Sequence, residues 1–206
     1  ADLSGTASTL GHGSSLHKTP HTDRLAERGL AFPRAYAAAP NCAPSRASMW
    51  TGLWPARTGV YTVGEPNRGR AELRSLEAAS NTTTLPDELL TITERLPRPY
   101  GSGSSSSLSG GSTSGYPGYP ERPFGYQSIH LGKWHLGGGR GARTAPGDPL
   151  AQGFHDNIGG DARGNPGGVQ FADDEGRFPL PGLERAGEPS QWIDDRLGDE
   201  LLRVLE

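Results

Sequence analysis

Asn41-Cys42-Ala43-Pro44-Ser45-Arg46-Ala47-Ser48-Met49-Trp50-Thr51-Gly52, NCAPSRASMWTG, holds the only cysteine of the 206-residue chain. Pro44 sits where a first helical turn tolerates it, because the leading N–H groups of a helix have no intrahelical acceptor. Gly52 supplies a stop about two and a half turns after Cys42. The spacing therefore predicts a helix with Cys42 at its entry. There the unpaired N–H groups and the positive end of the dipole stabilise an anion, either a thiolate or a bound oxyanion such as phosphate or sulfate. Arg46, one turn further on, shares that face and can offer a planar fork to the same site. On spacing alone the plainer alternative stands first: a lone cysteine is a small core hydrophobe and Arg46 a surface charge.

The surroundings read as a loop-rich α/β chain. Hydrophobic residues make up only 33%, with 31 glycines and 18 prolines, which fits an α/β architecture with long functional loops or a disordered insert. The net charge of -3 advertises neither nucleic acid nor an anionic membrane as partner. One cysteine excludes an internal disulfide framework. No run of about 20 apolar residues predicts a membrane span, and no apolar signal segment opens the chain. The start at Ala1-Asp2-Leu3, without methionine, reads as a processed, trimmed or fragmentary chain.

Along the chain, Thr19 to Gly29 predicts a short helix capped by Thr19, with Pro20 at its first position and Gly29 as its stop. A second helix is expected from Thr84 to Leu96. Thr84 and Asp87 have capping-box spacing, Leu85, Leu89, Ile92 and Leu96 keep helical periodicity, and Pro97 ends it. Residues 101–115, GSGSSSSLSGGSTSG, cannot bury enough surface to offset their ordering entropy and read as a flexible insert, extending to about residue 120. Gly125 to Gly132 predicts a strand entering the loop Lys133-Trp134-His135-Leu136-Gly137. The stretch 137–190, dominated by Gly, Pro and Asp, assigns little. Ile193, Leu197, Leu201, Val204 and Leu205 share a face of a final helix with Ser190 as cap.

Several of these stretches resemble one family. Cys42-Ala43-Pro44-Ser45-Arg46 followed by Thr51-Gly52 is similar to the type I sulfatase signature, C-x-P-S-R followed by T-G, with Met49 where family members often carry Leu. His17 to Leu25 resembles the family's T-P-N-x-D-x-L helix, with His21 in place of Asn. Phe32 and Tyr36 resemble its F-x-x-x-Y segment. Gly125-Tyr126 through Gly132-Lys133-Trp134-His135-Leu136-Gly137 is close to a second signature, G-Y-x-[ST]-x-x-x-G-K-W-H-L-G. Gln152 to His155 and Asn157 to Gly160 resemble a later G-F-D…G-G loop, and Trp192 to Glu206 the helix that follows. Two long signatures in the right order make the resemblance specific, and it spans nearly the whole chain outside the Gly/Ser insert.

The resemblance implies an alkaline-phosphatase-like α/β fold, a mixed and mostly parallel sheet between helices. Residues 1–206 would be the N-terminal part of its catalytic domain. It implies an arylsulfatase-like hydrolase in which a formylglycine-generating maturase converts Cys42 to formylglycine. One hydroxyl of the hydrated aldehyde would attack sulfur and the alcohol leave; the second would then lose its proton, expel sulfate and restore the aldehyde. Carried over residue by residue, Arg46 holds the hydrate, Lys133 contacts the sulfate and His135 bonds the hydroxyl that triggers elimination. Asp161 and Arg163 fall in a loop shaping the substrate pocket. The substrate implied is a sulfated carbohydrate, glycan or aryl alcohol, and the location exported: periplasmic, extracellular or lysosomal.

The family also implies calcium or another divalent cation among oxygen ligands, with Cys42 itself among them. Its opening Asp-Asp pair aligns either with Asp2 and Leu3, or ahead of Ala1 with Asp2-Leu3 matching a later Asp-Leu. At most one of the two carboxylates is then present, as Asp2. The family's later metal ligands, a substrate-binding histidine and a second lysine fall beyond Glu206. Three other assignments remain open beside a sulfatase: an incomplete or degenerate homologue without turnover, a phosphate or phosphonate monoester hydrolase of the same superfamily, and a carbohydrate-binding module, for which 7% aromatics give little support. Asp173-Asp174 and Asp194-Asp195 read as solvated carboxylates, and His12, His17 and His130 as structural or exposed.

Overall fold

The computed structural model describes residues 18–32, 34–67, 69–74, 80–96, 125–138, 145–164, 172, 178–183 and 188–206. The Gly/Ser insert, Asp2, His12, His17 and Asp173-Asp174 lie outside them. The chain divides into two units, Ala1–Ala37 and Ala38–Glu206.

The first unit contains helix α1, Pro20–Arg28, with the expected bounds. Its cap differs in detail. The Thr19 hydroxyl donates to the Asp23 carboxylate at 3.3 Å instead of accepting a backbone N–H. Gly29 follows in extended backbone at φ -117°, so the helix stops without a left-handed cap. Phe32 and Tyr36 are exposed.

The second unit is organised by strand β1, Ile129–Leu131, paired in parallel with β2, Asp156–Ile158. The register sets Ile129, His130 and Leu131 opposite Asp156, Asn157 and Ile158. Alternation along a strand sends neighbouring side chains to opposite faces, and two cores form accordingly. On one side, His130 meets the rings of Trp134 and Phe154 edge-on at centroid distances of 5.1 and 5.3 Å. Around them gather Ala43, Ala47, Val60, Leu85 and Leu136. On the other side Ile129 and Leu131 pack with Ile158, Phe178, Leu180 and Leu183 beneath helix α5, Ile193–Leu205. The small parallel sheet is compatible with the expected α/β class and forms only part of the broad sheet that class implies.

Helix α2, Cys42–Thr51, ends as expected at Gly52, which takes φ 70° and donates its N–H to the Ser48 carbonyl. The short helix α3, Pro55–Thr58, follows and packs against it.

The expected helix over 84–96 is corrected. Only α4, Ile92–Arg95, is helical, and its capping box uses Thr91 and Glu94, not Thr84 and Asp87. The reason is tertiary. Leu85 is fully buried and gives its N–H to the Leu136 carbonyl at 2.8 Å, while Ile92, assigned to the same apolar face, is exposed. Thr91 and Thr93 both donate to the Gln152 carbonyl at 2.7 Å. The strand expected over 125–132 shortens to residues 129–131, because Ser128 gives its N–H to the His155 ring rather than to a neighbouring carbonyl.

Helix α5 is also corrected in two respects. Trp192, not Ser190, precedes its first turn. Leu201 and Leu205 are exposed, whereas Ile193, Leu197 and Val204 pack inward beside a buried Glu200. Arg196 and Arg203 each reach that carboxylate at 2.5 Å, which is how a charge is tolerated there. Burial raises the Glu200 pKa, but the two guanidinium groups outweigh it and hold the carboxyl below its ordinary value. Asp194 and Asp195 are exposed, as expected. Among the described residues no helix is long and apolar enough to cross a membrane.

Candidate active site

The site forms where the carboxyl ends of β1 and β2 face the start of α2. Open α/β sheets place ligands at such strand ends. Beyond the ladder the two strands stay linked: Gly132 donates to the Ile158 carbonyl at 2.7 Å and His135 to the Asp161 carbonyl at 2.9 Å. The same pairing thus delivers Lys133 and His135 from one strand and Asp161 from the other.

Cys42 occupies the first position of α2 and its thiol is free and exposed. Asn41 does not cap the helix with its side chain, which donates instead to the Thr62 hydroxyl at 3.1 Å. The positive helix end is therefore directed at the Cys42 environment without a side-chain cap. Cys42 Sγ lies 3.2 Å from His135 Nδ1, a contact spanning 93 residues of chain. The two signatures meet in space.

Arg46 takes a different role from the fork expected of it. Its Nε donates to the Trp134 carbonyl at 2.9 Å, and Nη2 to the Lys133 carbonyl. It clamps the β1 loop onto α2. Burial lowers its pKa while the nearby Cys42 opposes that fall. The Lys133 side chain is exposed.

His135 has φ 67°, a region that costs a non-glycine residue about 1–3 kcal/mol and persists only where surroundings impose it. Burial lowers its pKa first, with the Lys133 and Arg46 cations adding and Asp161 partly opposing. The imidazole is thereby kept neutral at neutral pH, able to take or give a proton. Asp161 is buried and its carboxylate accepts from the Arg163 N–H at 2.8 Å and Nε at 2.6 Å. These two residues turn their charges on each other.

A cleft of about 340 Å³ opens beside His135, lined among others by Thr62, Thr83, Arg163 and Gly164. Of these only Arg163 is marked by the sequence; Thr62, Thr83 and Gly164 are not. Asn81 shapes this wall by accepting the N–H groups of Tyr61 and Thr62 at 2.7 and 3.0 Å. Isolated threonines, an Asn in Ser/Thr-rich sequence and a single glycine between Arg163 and Asn165 carry no signal for such roles.

A calcium site asks for about six to eight oxygen ligands. Among the described residues no three His, Cys, Asp or Glu side chains converge to hold a metal ion. The described residues do not fit the cation, and no chemical step is assigned to one.

Residues 7–89 match the family described as Sulfatase. The chain is 32% identical over 126 residues to N-acetylgalactosamine-6-sulfatase of Sus scrofa, covering 61% of this chain and 18% of that protein. It is 32% identical over 144 residues to steryl-sulfatase of Mus musculus, covering 69% and 18%. A sulfatase of Formosa agariphila is 42% identical over 69 residues, covering 32% and 12%. The matched region thus spans less than a fifth of the length of these relatives. These matches support the sulfatase family for this chain, in its N-terminal portion, and the two stretches that resemble its signatures meet at Cys42 and His135.

Proposed function

We propose that this chain forms the nucleophile half of a sulfuric ester hydrolase acting through formylglycine made from Cys42. The observation that carries this reading is the 3.2 Å contact between Cys42 Sγ and His135 Nδ1 at the entry of α2. Oxidised to an aldehyde and hydrated, residue 42 supplies an oxygen nucleophile and a second hydroxyl whose deprotonation releases the acid anion.

The chain's own residues do the rest. The start of α2 stabilises negative charge built up beside residue 42. His135 Nδ1 holds or takes a proton at the position now filled by Sγ, and its lowered pKa keeps it in the base form near neutrality. Arg46 fixes the Lys133–Trp134 backbone and adds positive charge behind the site. Lys133, exposed two residues before His135, is the cation assigned to the ester's anionic oxygens. The hydroxyls of Thr62 and Thr83 in the cleft suit a polar alcohol. The names of the relatives, an N-acetylgalactosamine-6-sulfatase and a steryl-sulfatase, agree with a sulfated sugar or a hydrophobic sulfated alcohol as substrate.

The test is peptide mapping across Cys42 after expression of the full-length protein beside a competent maturase, followed by paired sulfate and phosphate ester assays. Expected are the aldehyde mass and hydrolysis of the sulfate ester. An unmodified thiol, or preference for the phosphate ester, overturns the reading.

A further inference from the structure

The loop after β2 wraps around His135. The Asp161 carbonyl takes the His135 N–H at 2.9 Å. The Asp161 carboxylate, 3% exposed as a residue, gathers Arg163 through its backbone N–H and Nε and so closes a turn over 161–163. Arg163 Nη2 reaches on to the Pro179 carbonyl at 2.8 Å, tying the turn to the second core. Gly164 then lies against the imidazole. A Cβ there would come 2.6 Å from Cε1, 3.0 Å from Nε2 and 3.1 Å from Nδ1 of His135. Gly164 does not have positive φ, so what it supplies is space rather than backbone freedom. These contacts surround a histidine whose own backbone, at φ 67°, would not hold that shape unaided.

We propose that Asp161, Arg163 and Gly164 are positioning residues, a brace that presents His135 Nδ1 to the reactive atom of residue 42, in place of the substrate contacts expected of Asp161 and Arg163. The charges of Asp161 and Arg163 are turned inward, onto each other and onto the Pro179 carbonyl, leaving a nearly neutral element beneath the cleft. Its catalytic meaning rests on the sulfatase reading, but the geometry is testable apart from it.

The full-length protein, expressed without a maturase so that residue 42 stays a thiol, is alkylated with iodoacetamide at neutral pH and followed peptide by peptide at Cys42. Wild type, Gly164→Ala, His135→Ala and the double variant form a cycle. Nδ1, 3.2 Å from Sγ, is in reach to take the thiol proton as sulfur attacks the reagent, so each single change should slow alkylation at least about threefold. The double variant should be no slower than His135→Ala alone, because Gly164 acts only through the ring. Asp161→Asn, which keeps the carbonyl but weakens the brace, should slow it less and speed hydrogen exchange of the His135 amide. In the matured enzyme Gly164→Ala should lower kcat with KM little changed. Wild-type alkylation and amide exchange in Gly164→Ala, or losses that multiply in the double variant, overturn the brace. If the cycle holds but matured wild type cleaves no sulfate ester, the brace stands and the sulfatase reading falls.

Discussion

The two cores on opposite faces of β1 are built by different means. The first, around Trp134, Phe154 and His130, is assembled from loops and short helices. Its cohesion comes from cross-chain bonds such as Trp134 Nε1 to the Gly147 carbonyl at 2.6 Å and Leu85 N–H to the Leu136 carbonyl. It also depends on close backbone approach: a Cβ at Gly147, already at φ 70°, would meet the Leu136 carbonyl at 2.5 Å. The second core has one amphipathic helix, α5, over apolar side chains, with a single carboxylate held between two arginines. A helix satisfies its backbone internally and asks only for a covered face. Loops that position chemistry need a partner for nearly every polar backbone group. The catalytic candidates all hang from the first kind of construction.

Substitutions can break this contrast. Trp134→Ala removes the largest fully buried side chain of the first core and should cost about 3–5 kcal/mol. Urea unfolding checks this, and the Cys42–His135 contact should be lost with it, since Trp134 adjoins His135. Glu200→Ala acts on the other core by leaving Arg196, with a side chain only 12% exposed, unpaired. It should cost about 3 kcal/mol, the low end for breaking a buried pair, because Arg203 is open to water. Its alkylation rate at Cys42 should stay that of wild type.

Acid should distinguish the cores by window. Burial drives the His130 pKa from 6.5 to about 4. Between those values the unfolded chain binds a proton that the folded one refuses. Stability should therefore fall as pH drops from 6.5 toward 4, by up to about 3 kcal/mol, and His130→Gln should flatten that slope. Glu200 has the opposite chemistry and a lower window. Its lowered pKa contributes stability above the ordinary 4.5, lost only as pH falls below it. Urea midpoints measured from pH 7 to pH 3 give both slopes. The smallest effect is a gain. Gly198 lies inside α5, and a Cβ at that position would meet nothing within 4 Å, so Gly198→Ala should add about 0.5–1 kcal/mol. A thermal melt checks its sign.

Legibility followed the same division. Helices bounded by Pro and Gly, α1 and α2, were readable because their start and stop signals are local. The segment 84–96 was not. Its apolar spacing fitted a helix, but Leu85 bonds across to Leu136, and the capping box that forms belongs to Thr91 and Glu94. Strand β2 escaped notice because Asp156-Asn157-Ile158 has no alternating apolar pattern. Asn157 spends its amide on Gly160 and its Oδ1 on His130 instead. In α5 the period was right and the face was shifted, since a buried glutamate paired with arginines counts as polar in any hydropathy pattern.

For the site, the residue types at 42, 46, 133 and 135, the order of their signatures and the helix opening at Cys42 were determined by sequence alone, because each depends on near neighbours in the chain. That Cys42 and His135 touch, that Arg46 clamps carbonyls instead of reaching the thiol, and that Gly164 lies against the imidazole were decided only by tertiary structure. Those contacts join segments tens of residues apart: the parallel register of β1 with β2 brings Gly164 to His135, and the Arg46 clamp on the Lys133 and Trp134 carbonyls holds α2 against the same loop.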